Sequence, residues 1–169
     1  MRLPCEHGLL CYDFGMIAAY LNGPEVQKQL GVSRHWESCN MMVDVQFVQA
    51  GDWMVNYQGL IPDLLADGIK VLIYAGDQDF ICNWLGNMKW TQKLDWPHRA
   101  DFNVAPNRDY ELNGETVAKL RTSNGFSFMQ VFNAGHMVPM DQPAVALQMF
   151  TDFTTGSLGS HVASEIILA

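Results

Sequence analysis

The feature that most constrains the fold is a short apolar run at residues 69–74, interrupted by a single lysine and bounded by Gly68 and Gly76. A run of this length between glycines is typical of a strand buried on both faces, as in a parallel sheet. A turn rich in Gly and Asp follows at residues 75–79, and residues 81–94 have a helical pattern. This succession predicts an α/β fold in which helices cover a sheet.

The segment before the strand has a helical pattern. Residues 24–30 are predicted to form a helix that begins at Pro24 and ends at Gly31, because proline suits the first helical turn and glycine the position after the last. Residues 43–65 have apolar side chains at helical spacing, with Pro62 expected to break or restart the helix. Residues 97–107 are polar and are predicted to form a surface loop.

The segment after the loop carries two Asn-Gly pairs, which are strong hairpin signals. They separate residues 110–112, 115–121 and 126–132 into three predicted strands of a meander. Asp141 is then expected to cap a helix that has Pro143 in its first turn and ends near Phe153. We therefore predict a single partial domain over residues 1–169: mainly helical to residue 68, a strand and helix core over 69–153, and a tail over 154–169.

The charge and composition exclude several classes of partner. The formal net charge is −8, so nucleic acid and anionic membranes are not expected partners. No apolar run approaches the roughly 20 residues that span a bilayer, and the N-terminus lacks the apolar region of a signal peptide. The apolar content of 49% fits either a well-filled core or a face that something else covers.

The chain has four cysteines, at Cys5, Cys11, Cys39 and Cys82. They include no CxxC pair, and no histidine lies at zinc spacing from another ligand, so we expect no metal and no cofactor. Cys5 and Cys11 flank a short loop that a disulfide could close. Four reduced, buried thiols in a cytosolic protein are the alternative, and the residues alone leave it open.

Two residues with catalytic chemistry follow predicted strands. Asp79 comes after the strand at residues 69–74, and His136 comes after the strand at residues 126–132. Ligands bind at the carboxyl ends of strands in open α/β sheets, and an Asp before a His matches the last two members of the order Ser, Asp, His in α/β-hydrolases. By itself the pair is a weak signal, because a lone Asp more often caps a turn and a lone His is more often structural.

The sequence segments around both residues resemble those of one family. The segments IYAGDQDFICNWLGN at residues 73–87 and FNAGHMVP at residues 132–139 are similar to the aspartate and histidine segments of the serine carboxypeptidases, of the carboxypeptidase Y type. The resemblance covers roughly residues 4–153. It implies the C-terminal part of an α/β-hydrolase fold, in which a mixed, mostly parallel sheet is flanked by helices and is incomplete.

The resemblance also implies roles for particular residues. Asp79 and His136 match the catalytic acid and base, and Asp77 is then expected to cap the turn. Cys82 and Met137 match residues that line the pocket for the last side chain of the substrate. A core cysteine on the first turn of a helix is the alternative for Cys82.

The remaining cysteines match disulfides of the family. Cys5–Cys11 corresponds to a short-range disulfide, and Cys39 corresponds to a cysteine bonded to one far upstream. Such bonds imply an oxidising route, and the family resemblance implies a lysosome, a vacuole or secretion, with a signal peptide outside this chain.

The nucleophile of the family lies in a Gly-x-Ser-x-Gly turn, and no such motif occurs in the 169 residues. We expect the chain to be the C-terminal third of the enzyme: a truncated gene product, a fragment, or the small chain of a processed enzyme. It should be inactive alone, because triad members act as a unit. Its expected partners are a peptide substrate and the missing N-terminal segment. The alternatives are an acyltransferase or lyase of the same fold and a non-catalytic truncated paralogue.

Overall fold

The structure is a computed structural model that describes residues 14–159. Cys5 and Cys11 lie outside the described residues, so their predicted disulfide stays a prediction. The chain divides into two compact units, residues 1–55 and 56–169, which are described separately. Within residues 14–159, no helix has both the length and the apolar character needed to cross a membrane.

The described part of the first unit is helical. It contains α1 (Gly15–Leu21), α2 (Pro24–Leu30), α3 (Met41–Gln49) and a 3-10 turn (Asp52–Met54). The predicted bounds of α2 are confirmed, with proline in its first turn and Gly31 in the left-handed conformation at φ 68°. The predicted helix over residues 43–65 is wrong, because α3 ends at Gln49 and Gly51 adopts φ 73°.

The second unit combines helices with a sheet. After a 3-10 turn (Tyr57–Leu60), its helices are α4 (Ile61–Ala66), α5 (Trp84–Lys93), α6 (Arg99–Val104), α7 (Val138–Asp141) and α8 (Pro143–Thr155). Its strands are β1 (Val71–Gly76), β2 (Arg108–Leu112), β3 (Glu115–Ser123) and β4 (Phe126–Val131). Pro62 lies in the first turn of α4, so it restarts the helical region as predicted.

The sheet has the strand order β1-β4-β3-β2. β1 and β4 run parallel, with Val71 opposite Phe126 and Gly76 opposite Val131, while β4–β3 and β3–β2 are antiparallel. The prediction of a mixed α/β sheet is confirmed, although only one of the three pairings among the described strands is parallel. Because β1 and β4 are parallel neighbours, their carboxyl ends meet at the same edge.

The meander is built by the two Asn-Gly turns. Asn113 and Gly114 have φ values of 54° and 80°, and Asn124 and Gly125 have 47° and 83°. Left-handed backbone at both central positions is typical of a type I′ turn, whose twist matches that of the flanking strands. The local chemistry of four residues therefore sets the order of three strands.

Strand β4 lies at the centre of the core. On one face Phe126 and Phe128 pack with Leu94, Trp96 and Phe102, which lie in or next to α5 and α6. The other face buries a second cluster, which includes Tyr110, Leu120, Met129, Val131, Val138, Val145 and Met149 from β2, β3, β4, α7 and α8. Both faces of the sheet are therefore covered at β4, whereas β1, which was predicted to be buried on both faces, has half-buried residues and a 43% exposed Tyr74.

Two local predictions are corrected by tertiary packing. The predicted loop at residues 97–107 contains α6, because Phe102 is fully buried against Phe126 and the guanidinium of Arg121 donates to the Phe102 and Asn103 carbonyls. Burial of that guanidinium lowers the pKa of Arg121. The first strand is displaced by two residues from its predicted position, and its first three residues are half-buried rather than fully buried.

A buried hydrogen bond joins the sheet to the last helix. The Tyr110 hydroxyl donates to the Asp152 carboxylate at 2.5 Å, and both residues are at most 2% exposed. Burial, followed by this bond and the carboxylate charge, raises the pKa of Tyr110. A raised folded-state pKa means that the bond stabilises the fold below about pH 10 and that this contribution is lost at higher pH.

We predict that Tyr110→Phe lowers the free energy of unfolding by about 1–3 kcal/mol at neutral pH, because the Asp152 carboxylate loses a buried donor. Urea unfolding at pH 7 and above pH 10 measures this effect. The difference between the variant and the parent chain should shrink at the higher pH. An unchanged difference would contradict the assigned pH dependence.

Candidate active site

Asp79 is presented by the turn that follows β1. The Asp77 amide donates to the Val131 carbonyl at 2.9 Å, and the Asp79 amide donates to the Gly76 carbonyl at 3.3 Å. The Asp79 side chain is 6% exposed, and its Oδ1 accepts the Cys82 amide at 3.0 Å. The Asp77 carboxylate accepts from the Gln78 side chain instead. The predicted capping role of Asp77 therefore falls to Asp79, whose second oxygen remains available to a partner.

His136 is presented by the loop that follows β4. Asn133 adopts φ 55° and its carbonyl accepts the Gln142 side-chain amide at 3.1 Å. The next carbonyl, of Ala134, accepts the Gln78 amide at 2.9 Å. Backbone bonds thus tie the loop carrying the histidine directly to the loop carrying the aspartate.

Gly76 makes this close approach possible. A Cβ atom at this position would lie 2.2 Å from the Ala134 carbonyl oxygen and 2.4 Å from that of Gly135. Both neighbours are backbone atoms, which cannot rotate away. Any side chain here would therefore push the two loops apart.

The two catalytic candidates meet across these loops. His136 Nδ1 lies 3.0 Å from Asp79 Oδ2, although 57 residues separate them in the chain. A carboxylate only accepts, so this contact assigns a proton to Nδ1, which in a neutral imidazole leaves the lone pair on Nε2. The His136 side chain is 62% exposed, while its carboxylate partner is almost fully covered.

The predicted pocket residues lie beside this pair. Cys82 is exposed, and its Sγ, an Asp79 carboxylate oxygen and a His136 ring nitrogen lie within 4.8 Å of one another. Met137 directly follows His136, is half-buried and precedes α7. Within residues 14–159 Cys39 and Cys82 form no disulfide, and Cys39 is exposed.

The same three side chains could hold a metal ion, because carboxylate, thiolate and imidazole are all zinc ligands. The expectation of no metal was based on the spacing of ligands along the sequence. That spacing does not reveal this group, because its ligands come from two loops that are distant in sequence. The Asp79–His136 hydrogen bond occupies one atom of each of these two residues.

Asp141 contributes to the site in a way that the sequence did not reveal. The position before α8 is taken by Gln142, which makes no side-chain cap, so the predicted cap by Asp141 is wrong. The Asp141 carboxylate instead accepts the Gly135 amide at 2.7 Å. An Asp two residues before a Pro suggested a helix cap. The bond to the Gly135 amide becomes visible only in the structure, where the chain turns back after His136.

An Asp–His pair at the ends of adjacent strands, in a sheet covered by helices on both faces, matches the last two members of the order Ser, Asp, His in α/β-hydrolases. A profile of the serine carboxypeptidase family matches residues 2–156. The chain belongs to the serine carboxypeptidase family.

The relatives agree with this membership. The chain is 49% identical over 159 residues to carboxypeptidase Y homolog A of Fusarium vanettenii and 44% identical over 158 residues to carboxypeptidase Y of Candida albicans. Each alignment covers 92% of this chain but 29% of the relative, so the chain spans less than a third of their length.

A solved structure supports the fold. A prohormone-processing carboxypeptidase from Saccharomyces cerevisiae superposes with a TM-score of 0.70 at 24% identity, over 85% of this chain and 32% of that chain. At this identity the likeness concerns the fold. It agrees with the assignment of the chain to part of an α/β-hydrolase.

Proposed function

We propose that this chain supplies the catalytic acid and base of a serine carboxypeptidase, which releases C-terminal residues from peptides through an acyl-enzyme. The observation that carries the proposal is the 3.0 Å contact between His136 Nδ1 and Asp79 Oδ2 at the meeting point of two parallel strands. Family membership provides the reaction, and the geometry provides the histidine proposed to perform its proton transfers and the carboxylate proposed to orient that histidine.

The roles follow from the proton positions. His136 Nε2 removes the proton from a serine hydroxyl as the oxygen attacks the peptide carbonyl, and then delivers it to the departing amine. In the second half of the reaction, His136 Nε2 removes a proton from water as the water oxygen attacks the acyl-enzyme. It then returns this proton to the serine oxygen as the acid product leaves. The Asp79 carboxylate stabilises the imidazolium formed in each step, and the Cys82 amide holds that carboxylate in place.

The serine belongs to a segment beyond these 169 residues, which contain no Gly-x-Ser-x-Gly motif. The partner that we propose is therefore the remaining part of the same hydrolase domain. Two features of the second unit support it. Among the described strands, β1 pairs with another strand on one edge only. Large apolar side chains in the segment that follows β1 are exposed, including Phe80 (92%) and Ile81 (84%). Covering them would bury apolar surface that an isolated chain leaves in water.

The substrate is proposed to be a peptide whose last side chain contacts Cys82 and Met137, since both lie next to the Asp79–His136 pair. The proposed location is a vacuole, a lysosome or the extracellular space. The support for this location is membership of the carboxypeptidase family.

The test compares the isolated chain with a chimera in which it replaces the matching 29% of the Fusarium vanettenii relative. We predict that the chimera releases the last residue of a blocked dipeptide and is labelled by a fluorophosphonate, whereas the isolated chain does neither. Labelling of the isolated chain would show that it holds its own nucleophile. A folded chimera without either activity would favour a non-catalytic paralogue, and ester cleavage without peptide cleavage would favour an acyltransferase.

A further inference from the structure

The Ala134–Gly135 peptide, which lies one residue before His136, is held by a carboxylate. The Gly135 amide donates to Asp141 Oδ2 at 2.7 Å, and this bond is partly buried. A bond from an amide to an ionised carboxylate is shorter and roughly twice as strong as one between neutral groups. Because Gly135 alone lies between this peptide and His136, fixing the peptide limits the positions that the histidine backbone can take.

The short helix α7 brings Asp141 back to this peptide. The Met140 and Asp141 amides both donate to the Met137 carbonyl, at 2.9 and 3.0 Å, so the chain reverses within one turn. Pro139 lies in the first turn of this helix and favours its start. His136 thus lies within a short loop that the bond between the Gly135 amide and the Asp141 carboxylate closes.

The other bonds to the loop act further from the histidine. The Gln142 side chain holds the Asn133 carbonyl, and the Gln78 amide holds the Ala134 carbonyl. The bond from Gln78 ties the loop to the turn that carries Asp79, and the bond from Gln142 joins the start of the loop to the end of α7. The bond from Asp141 restrains the amide end of the Ala134–Gly135 peptide, whose carbonyl end Gln78 holds, so both ends of this peptide are fixed.

We propose that Asp141 is a positioning residue, whose carboxylate orients His136 toward Asp79 through the Gly135 amide. It contacts neither the substrate nor the reacting atoms in this assignment. The inference rests on the proposed function for its catalytic consequence. Its geometric consequence, the state of the His136 ring, can be measured without any activity.

The experiment compares Asp141→Ala, which removes the acceptor, with Asp141→Asn, which keeps a neutral acceptor of the same shape. Asp95→Asn is the matched control, since Asp95 is an exposed aspartate of the same unit. Long-range proton–nitrogen NMR spectra of the 169-residue chain report whether the His136 proton lies on Nδ1. In the chimera, kcat and KM are measured with a blocked dipeptide.

We expect the parent chain and Asp95→Asn to hold the His136 proton on Nδ1. Asp141→Ala should show both tautomers in exchange, and Asp141→Asn should lie between them. In the chimera, Asp141→Ala should lower kcat about 10- to 100-fold with KM within about twofold, because misplacing a catalytic group slows the reacting complex. Partial rescue by Asp141→Asn should accompany this loss.

A purely structural role for Asp141 would give a different result. The midpoint of thermal unfolding would fall in Asp141→Ala while the Nδ1 proton stayed in place and kcat stayed unchanged, and this would overturn the proposal. If Asp141→Ala does not fold, the same two readouts on Asp141→Asn decide. If the chimera has no peptidase activity, the proposed function is contradicted but the positioning role is not. The NMR spectra of the 169-residue chain still test the positioning role.

Discussion

Replacing Asp79 by Asn is expected to lower kcat of the chimera by about 10⁴-fold, the size of loss that follows when a triad carboxylate becomes an amide. The amide oxygen can still accept the Cys82 amide, which the carboxylate now binds through Oδ1. The amide nitrogen then faces His136 Nδ1 and donates to it. The proton moves to Nε2, which can no longer act as a base.

Asp77→Asn is the control for this prediction. Asp77 lies in the same turn, and its carboxylate accepts from the Gln78 side chain, which an amide oxygen can also do. We expect kcat to stay within about threefold, because the change is small and lies outside the pair. Equal losses from both substitutions would mean that the turn, rather than the Asp79 carboxylate, supports catalysis.

Replacing Gly76 by Ala is expected to lower the free energy of unfolding by about 3 kcal/mol, the upper end of the usual cost of overpacking. The added Cβ would lie 2.2 Å from the Ala134 carbonyl oxygen, so β1 and the loop after β4 must separate. Separation breaks the bond from the Gln78 amide to that carbonyl and moves His136 away from Asp79. Urea unfolding of the 169-residue chain measures the loss of stability.

Gly59→Ala provides a matched control within the same unit. No atom lies within 4 Å of a Cβ built at Gly59, and its φ lies outside the left-handed region. The free energy of unfolding should change by less than about 0.5 kcal/mol. If Gly76→Ala were as mild as this control, the close approach of the two loops would not be a constraint on the fold.

The parts of the fold that local chemistry determines were predictable from the sequence. The helix at residues 24–30 and both Asn-Gly turns depend on a few neighbouring residues, and they occur where predicted. Helix α6 depends on burial of Phe102 and on bonds from Arg121, a strand residue distant in sequence. A polar composition without those partners resembles a loop, so its prediction failed.

The site shows the same division. The sequence motifs that resemble the family predicted Asp79 and His136 as site residues. The contact between the two side chains depends on the parallel register of β1 and β4. The use of Asp141 depends on a chain reversal within α7, and a sequence pattern of Asp before Pro could only suggest a cap. The need for glycine at position 76 likewise comes from the backbone of a segment nearly 60 residues away.

The most direct test of the account is the release of the last residue of a blocked dipeptide by the chimera and by its His136→Ala variant. We predict release by the chimera, and loss of that release to background in a variant that remains folded, since imidazole Nε2 is the proposed base. Release that survives His136→Ala at a rate close to that of the chimera would contradict the assignment of Asp79 and His136 as the acid and base.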